Sequence, residues 1–75
     1  MVNVISIEAF EDCWAVRHPG AANPQLFMSG AKAEDAAMRL GSRMARSGQP
    51  TEVVVYLRDG ALGGRRTCSP AGTGA

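Results

Sequence analysis

The first part of the chain alternates short apolar runs with turn-forming residues, a pattern typical of β-strands. The run from Val2 to Ile7 is apolar and rich in β-branched residues, which predicts a first strand followed by an acidic connection over 8–12. Residues 13–18 predict a second strand, and residues 25–28 predict a short third one. The Pro and Gly residues between these runs fit the turns that separate the strands.

Between residues 31 and 47 the pattern changes to a helical one. An apolar stripe at helical spacing comprises Ala33, Ala36, Ala37, Leu40 and Met44. Ser29 or Gly30 can serve near the N-cap, and Gly48 is a natural residue to end the helix. Gly41 costs a helix about 1 kcal/mol relative to Ala, so we expect it to mark close packing on a strand.

The chain then returns to strand patterns. Residues 52–58 predict a strand, Asp59 and Gly60 predict a type I′ hairpin, and residues 61–67 predict a weak, bulged or edge strand. We expect residues 69–75, rich in small residues, to be disordered. The sequence therefore predicts a single α+β domain over 1–68, in the order ββ(β)αββ: one antiparallel sheet of four to five strands carries a single helix on one face.

Composition supports this interpretation and excludes several protein classes. The chain has 75 residues, 45% of them hydrophobic and 20% charged, with a formal net charge of +1. These values are typical of an ordinary globular domain and argue against a multidomain machine or a polybasic protein. The longest apolar run, Val53–Leu57, is too short to span a membrane, and the N-terminus lacks the features of a signal peptide. We therefore expect a cytoplasmic protein with no membrane partner.

Catalytic and metal-binding constellations are missing from the sequence. The only histidine, His18, stands beside a proline at a strand end, and no nucleophile motif surrounds any serine. Cys13 and Cys68 are far apart and are expected to be reduced thiols. They supply too few ligands for a zinc site. We expect no enzyme activity, no cofactor and no metal; a small enzyme is the least favoured class.

Two aromatic residues have alternative interpretations. Trp14 shares a strand face with Val16, which predicts packing under the helix. Tyr56 is expected on the outer face of the sheet with Val54. The alternative role for both rings is a platform on which nucleic-acid bases stack. Core packing is the preferred interpretation, because two aromatics are few for such a platform.

Three segments together resemble a small bacterial family, domain of unknown function 2188. They are Trp14–Arg17, Ala31–Ala36, and Val53–Tyr56 with the Asp-Gly hairpin and the Arg65-Arg66-Thr67 run behind it. Family members have a W-x-V strand, a K-A-E-A helix start and a strand that ends in an Asp-Gly hairpin. At position 31 members often place Thr or Ser as the cap, whereas this chain has Ala31. The resemblance covers residues 13–67 and implies a fold without an established activity.

The predicted topology separates the charges into two groups. The predicted directions of the strands and the helix place three features at the same end of the sheet. They are the start of the helix, the connection over 8–12 and the Asp59-Gly60 hairpin. Acidic residues gather there: Glu8, Glu11, Asp12, Glu34, Asp35 and Asp59. The opposite end is basic, with Arg17, His18, Arg43, Arg46, Arg65 and Arg66. Helix-dipole and turn preferences can also produce this polarity without any function.

Two functional hypotheses follow from this charge distribution. The first is a non-catalytic protein-binding module, either monomer or homodimer, whose six acidic residues block a basic nucleic-acid-binding surface of a partner protein. Small anti-CRISPR proteins, which inhibit CRISPR effector subunits, are often single domains of this size without catalytic residues. The alternative is a small nucleic-acid-binding accessory domain that uses the helix and C-terminal arginines Arg39, Arg43, Arg46, Arg65 and Arg66.

Overall fold

Five strands and one helix follow one another in the predicted order. The computed structural model describes residues 2–68, and the expected disorder of residues 69–75 lies outside this range. The elements are β1 (Asn3–Phe10), β2 (Cys13–Arg17), β3 (Gln25–Phe27), α1 (Gly30–Arg46), β4 (Thr51–Tyr56) and β5 (Leu62–Cys68). The α+β class and the single helix are confirmed.

The sheet is mixed rather than antiparallel throughout. Its strand order is β3-β2-β1-β4-β5, and β1 pairs with β4 in parallel, with Ile5 opposite Val53. The other three pairs are antiparallel. The parallel pair arises because α1 carries the chain back to the starting end of the sheet, so that β4 runs in the direction of β1.

The core forms where α1 crosses the sheet. The helix contributes small buried residues four apart: Ala33, Ala37, Gly41 and Ala45. The sheet contributes larger ones, including Ile5, Ile7, Val16, Val53 and Cys68. Of the predicted apolar stripe, Ala33 and Ala37 are buried, whereas Leu40 and Met44 are only partly buried. Small side chains take the centre because the helix backbone lies close to the strands, and the longer ones fill its flanks.

The helix ends are set by local hydrogen bonds. Ser29 is the N-cap, and its Oγ accepts from the Lys32 N–H at 3.1 Å. At the other end Gly48 adopts a φ of 91°, as a helix-ending glycine does. Because the helix begins at Gly30, its first turn contains no acidic residue, and Glu34 and Asp35 lie beyond it. Arg43 and Arg46 lie in the last turn, where positive charge interacts favourably with the helix dipole.

Two strand connections differ from their predicted form. Strand β1 continues to Phe10, so Glu8 lies within the strand, and the connection shortens to Glu11 and Asp12. The β4–β5 hairpin has a three-residue loop, 58–60, closed by hydrogen bonds between Leu57 and Ala61 and between Gly60 and Leu57. Only Gly60 in this loop has a positive φ, which excludes the predicted type I′ turn. A register shift at Val55/Tyr56 confirms the expected irregularity of this pair.

The structure shows neither a membrane-spanning helix nor a cluster of metal-binding side chains within residues 2–68. No helix within residues 2–68 is long and apolar enough to cross a membrane. In the same range, no three His, Cys, Asp or Glu side chains lie close enough together to hold a metal ion. Cys13 and Cys68 are free cysteines on strands at different positions in the sheet, the first half-buried and the second buried.

Candidate functional site

The face of the sheet opposite the helix is open, and its charges are paired. Arg17 Nε lies 2.6 Å from Glu8 Oε2, and Arg65 Nε lies 3.6 Å from Glu52 Oε2. These pairs lie beside two small apolar positions of the same face, Ala15 and Val54, which are 0% and 4% exposed. Tyr56 is two residues after Val54 on β4, so strand alternation places it on this face, where it is exposed. The open face therefore carries no excess of either charge.

The predicted acidic end divides into separate groups. Arg58 Nη1 donates to the carbonyl oxygen of Glu11 at 3.2 Å, which joins the β1–β2 turn to the β4–β5 hairpin. Glu11, Asp12 and Asp59 consequently share one end of the molecule, with a positive charge among them. Asp59 also uses its Oδ1 to accept from the Ala61 N–H at 2.9 Å. Glu8 lies elsewhere, on the open face, because β1 is longer than expected.

The two acidic residues of the helix also have different surroundings. Asp35 forms an i, i+4 ion pair with Arg39, 3.1 Å between Oδ2 and Nη2, and both side chains are more than half exposed. Glu34 is exposed, about 100° around the helix from Asp35. Within residues 2–68, neither side chain forms a hydrogen bond or an ion pair with the joined turns. The six predicted acidic residues are therefore divided among the joined turns, the open face and the helix.

The helix presents a cationic ridge to solvent. The ridge consists of Lys32, Arg39, Arg43 and Arg46, all exposed. Their spacings of seven, four and three residues keep them on one side of α1, opposite the buried small residues. They extend over about 21 Å along the helix axis at 1.5 Å per residue. Asp35 is the one carboxylate along this ridge, and within residues 2–68 Lys32, Arg43 and Arg46 take part in no ion pair.

The C-terminal arginines do not extend the ridge as one surface. Arg65 is opposite Val54 on β4, and Arg66 is opposite Val53. Val53 lies under the helix, whereas Val54 belongs to the open face, so the two arginines point to opposite sides of the sheet. Arg65 is already paired with Glu52. Of the five predicted arginines, the structure brings together the three of the helix.

A groove of about 580 Å³ runs between this ridge and the edge strand β3. Its apolar lining includes Val16, Phe27 and Leu40, and its polar rim includes His18, Lys32, Arg39 and Arg43. Three ridge residues thus also border the groove. No motif in the sequence marks Lys32 or Phe27 as functional residues. The spacing of Lys32 two turns before Arg39 could have identified it, but the position of Phe27 depends on the packing of β3.

Trp14 packs at the start of the helix. A Cβ at Gly30 would lie 3.3 Å from its ring, so the small residue lets the helix begin directly against the indole. The guanidinium carbon of Arg58 lies 5.5 Å from the ring centroid on the exposed side. The predicted packing of Trp14 under the helix is confirmed. Trp14 stays partly exposed, and a base would have to displace Arg58 to stack on the face that Arg58 occupies.

Comparisons with known proteins find no relative of this chain. Neither family models, curated proteins nor solved structures yield a match to this chain. Membership of domain of unknown function 2188 therefore stays a prediction.

Proposed function

We propose that this chain is a non-catalytic binding module that holds nucleic acid along the cationic ridge of its helix. One observation carries the proposal: four exposed cations on one side of α1 face a single carboxylate, in a protein whose net charge is only +1. The remaining charges largely pair on the open face or surround the joined turns. The positive potential is therefore concentrated where a chain of phosphates can lie along the helix.

The chemistry of the ridge suits phosphate recognition. Three of its members are arginines, whose planar fork donates two parallel hydrogen bonds to phosphate oxygens. Within residues 2–68, Asp35 is the only carboxylate paired with the ridge, and its ion pair with Arg39 is too exposed to compete strongly with a phosphate. Contacts of this kind position a nucleic-acid backbone without reading its sequence. The proposed activity is thus sequence-tolerant binding by an accessory domain.

The experiment compares two arginine substitutions that remove the same charge. Arg43→Gln alters the ridge, whereas Arg65→Gln alters an exposed arginine on the open face. Fluorescence anisotropy with a labelled DNA duplex at low salt should show weaker binding for Arg43→Gln and nearly unchanged binding for Arg65→Gln. Equal losses would mean that net charge, not the ridge, determines binding, and no binding by the unmodified protein would refute the proposal.

The joined turns support a second candidate function. Glu11, Asp12 and Asp59 lie at one end of the molecule because Arg58 links the two turns. This end could dock on a basic surface of a partner protein, as a small inhibitor of the anti-CRISPR type would. Neutralising Glu11 and Asp12 together should then abolish capture of that partner, whereas neutralising Glu8 on the open face should not. The partner's identity and a cytoplasmic location remain predictions.

A further inference from the structure

The groove between the ridge and β3 adds an apolar, partly aromatic lining next to the cations of the ridge. Its rim shares Lys32, Arg39 and Arg43 with the ridge, so a phosphate chain held there would pass directly beside the opening. Phe27 is partly buried against the core and contributes to the apolar lining. An anionic chain that carries flat apolar groups could contact the ridge with its charges and the groove with those groups.

We infer that the groove takes unstacked bases of a single-stranded nucleic acid whose phosphates lie on the ridge. This inference rests on the proposed function and adds the class of nucleic acid that is preferred. In a duplex the base faces are stacked and inaccessible, so only the phosphates can reach the protein. In a single strand a base can turn into the groove and contact Phe27, and such contacts add affinity without requiring a particular base.

The polar groups at the groove fit the edges of bases. Gln25 and His18 border it on the strand side, and both carry hydrogen-bond donors and acceptors. The charge at the rim favours an anion, since Lys32, Arg39 and Arg43 outnumber Asp35. An acidic peptide would find the same cations, but it would gain nothing specific from the aromatic ring. The combination of ring and cations therefore favours the nucleic acid.

The test separates the groove from the ridge with aromatic substitutions. Phe27→Leu keeps an apolar side chain but removes the aromatic ring, whereas Phe27→Tyr retains an aromatic ring. Tyr56→Leu is the matched control, because it removes an aromatic ring from the open face. Each variant is titrated by anisotropy with labelled oligothymidylate and with a DNA duplex of the same length, after circular dichroism has verified its fold.

The expected result is a preference for the single strand that depends on Phe27. Phe27→Leu should weaken oligothymidylate binding by about five- to tenfold and leave duplex binding unchanged, while Phe27→Tyr and Tyr56→Leu keep the affinity of the unmodified protein. Equal binding of both nucleic acids, unaffected by Phe27→Leu but weakened by Arg43→Gln, would overturn this inference and leave the proposed function standing. Absence of binding to either nucleic acid would overturn both.

Discussion

Gly41 of the helix lies directly against Cys68 of β5. A Cβ at position 41 would be 2.9 Å from the Cys68 Sγ, closer than side chains normally approach. We predict that Gly41→Ala lowers the free energy of unfolding by about 1–2 kcal/mol. Overpacking of this kind costs about 1–3 kcal/mol, and the better helix propensity of Ala offsets only part of it. Urea unfolding followed by the emission of Trp14 measures the change.

A double substitution tests the cause of that loss. With Cys68→Ala in the background, the Sγ is absent, and Gly41→Ala should cost much less than it does in the unmodified protein. The same loss in both backgrounds would show that contact with Cys68 is not responsible.

The N-cap gives a second stability prediction. Ser29→Ala removes the oxygen that accepts from the Lys32 N–H, and it should lower the free energy of unfolding by about 1 kcal/mol. Ser29→Asp should retain the stability, since a carboxylate both caps the helix and interacts favourably with its dipole. Urea denaturation compares the two variants. Equal stability of Ser29→Ala and the unmodified protein would refute the assignment of this cap.

Arg58 both contacts the Trp14 ring and donates to the Glu11 carbonyl oxygen, so its removal should lower stability. Arg58→Gln removes the charge above the ring, and we expect a loss of about 0.5–1 kcal/mol together with a change in Trp14 emission. Arg43→Gln is the control, because Arg43 has no ion-pair partner within residues 2–68 and should change stability by less than about 0.5 kcal/mol. Similar losses in both variants would argue that the Trp14 contact contributes nothing.

The carboxylate on the ridge predicts a gain of function. Asp35→Asn removes the only negative charge along the ridge and frees Arg39, so nucleic-acid binding at low salt should strengthen about two- to fivefold. Glu34→Gln removes the same charge about 100° around the helix and should have a smaller effect. Anisotropy titrations compare the two. A larger gain for Glu34→Gln would contradict the position of the binding surface.

Local patterns predicted most of the fold, and the errors have identifiable causes. The apolar runs located every strand. Gly41 correctly indicated close packing, because glycine destabilises a helix and is retained where the helix lies close to a strand. The buried stripe was predicted correctly at Ala33 and Ala37, but its second half was predicted on Leu40 and Met44, because hydropathy favours large side chains. A close helix–sheet contact instead buries Gly41 and Ala45.

The candidate site was less predictable, because it depends on how elements pair. Arg65 and Arg66 are adjacent in a strand, so the alternation of side chains alone places them on opposite faces, and the sequence could have shown this. The length of β1, which moves Glu8 out of the acidic group, could not be seen from composition. The helical arginines were predictable from spacing alone, whereas the groove requires β3 to lie at the sheet edge beside α1, a long-range arrangement that local patterns do not specify.

The salt dependence of nucleic-acid binding tests the central claim most directly. Affinity of the unmodified protein for a DNA duplex, measured by anisotropy over a series of salt concentrations, should fall linearly on a log–log plot. If three to four ridge cations contact phosphates, the slope should be about −3, and Arg43→Gln should reduce its magnitude by about 0.9. A flat response, or a slope that Arg43→Gln leaves unchanged, would contradict binding along the ridge.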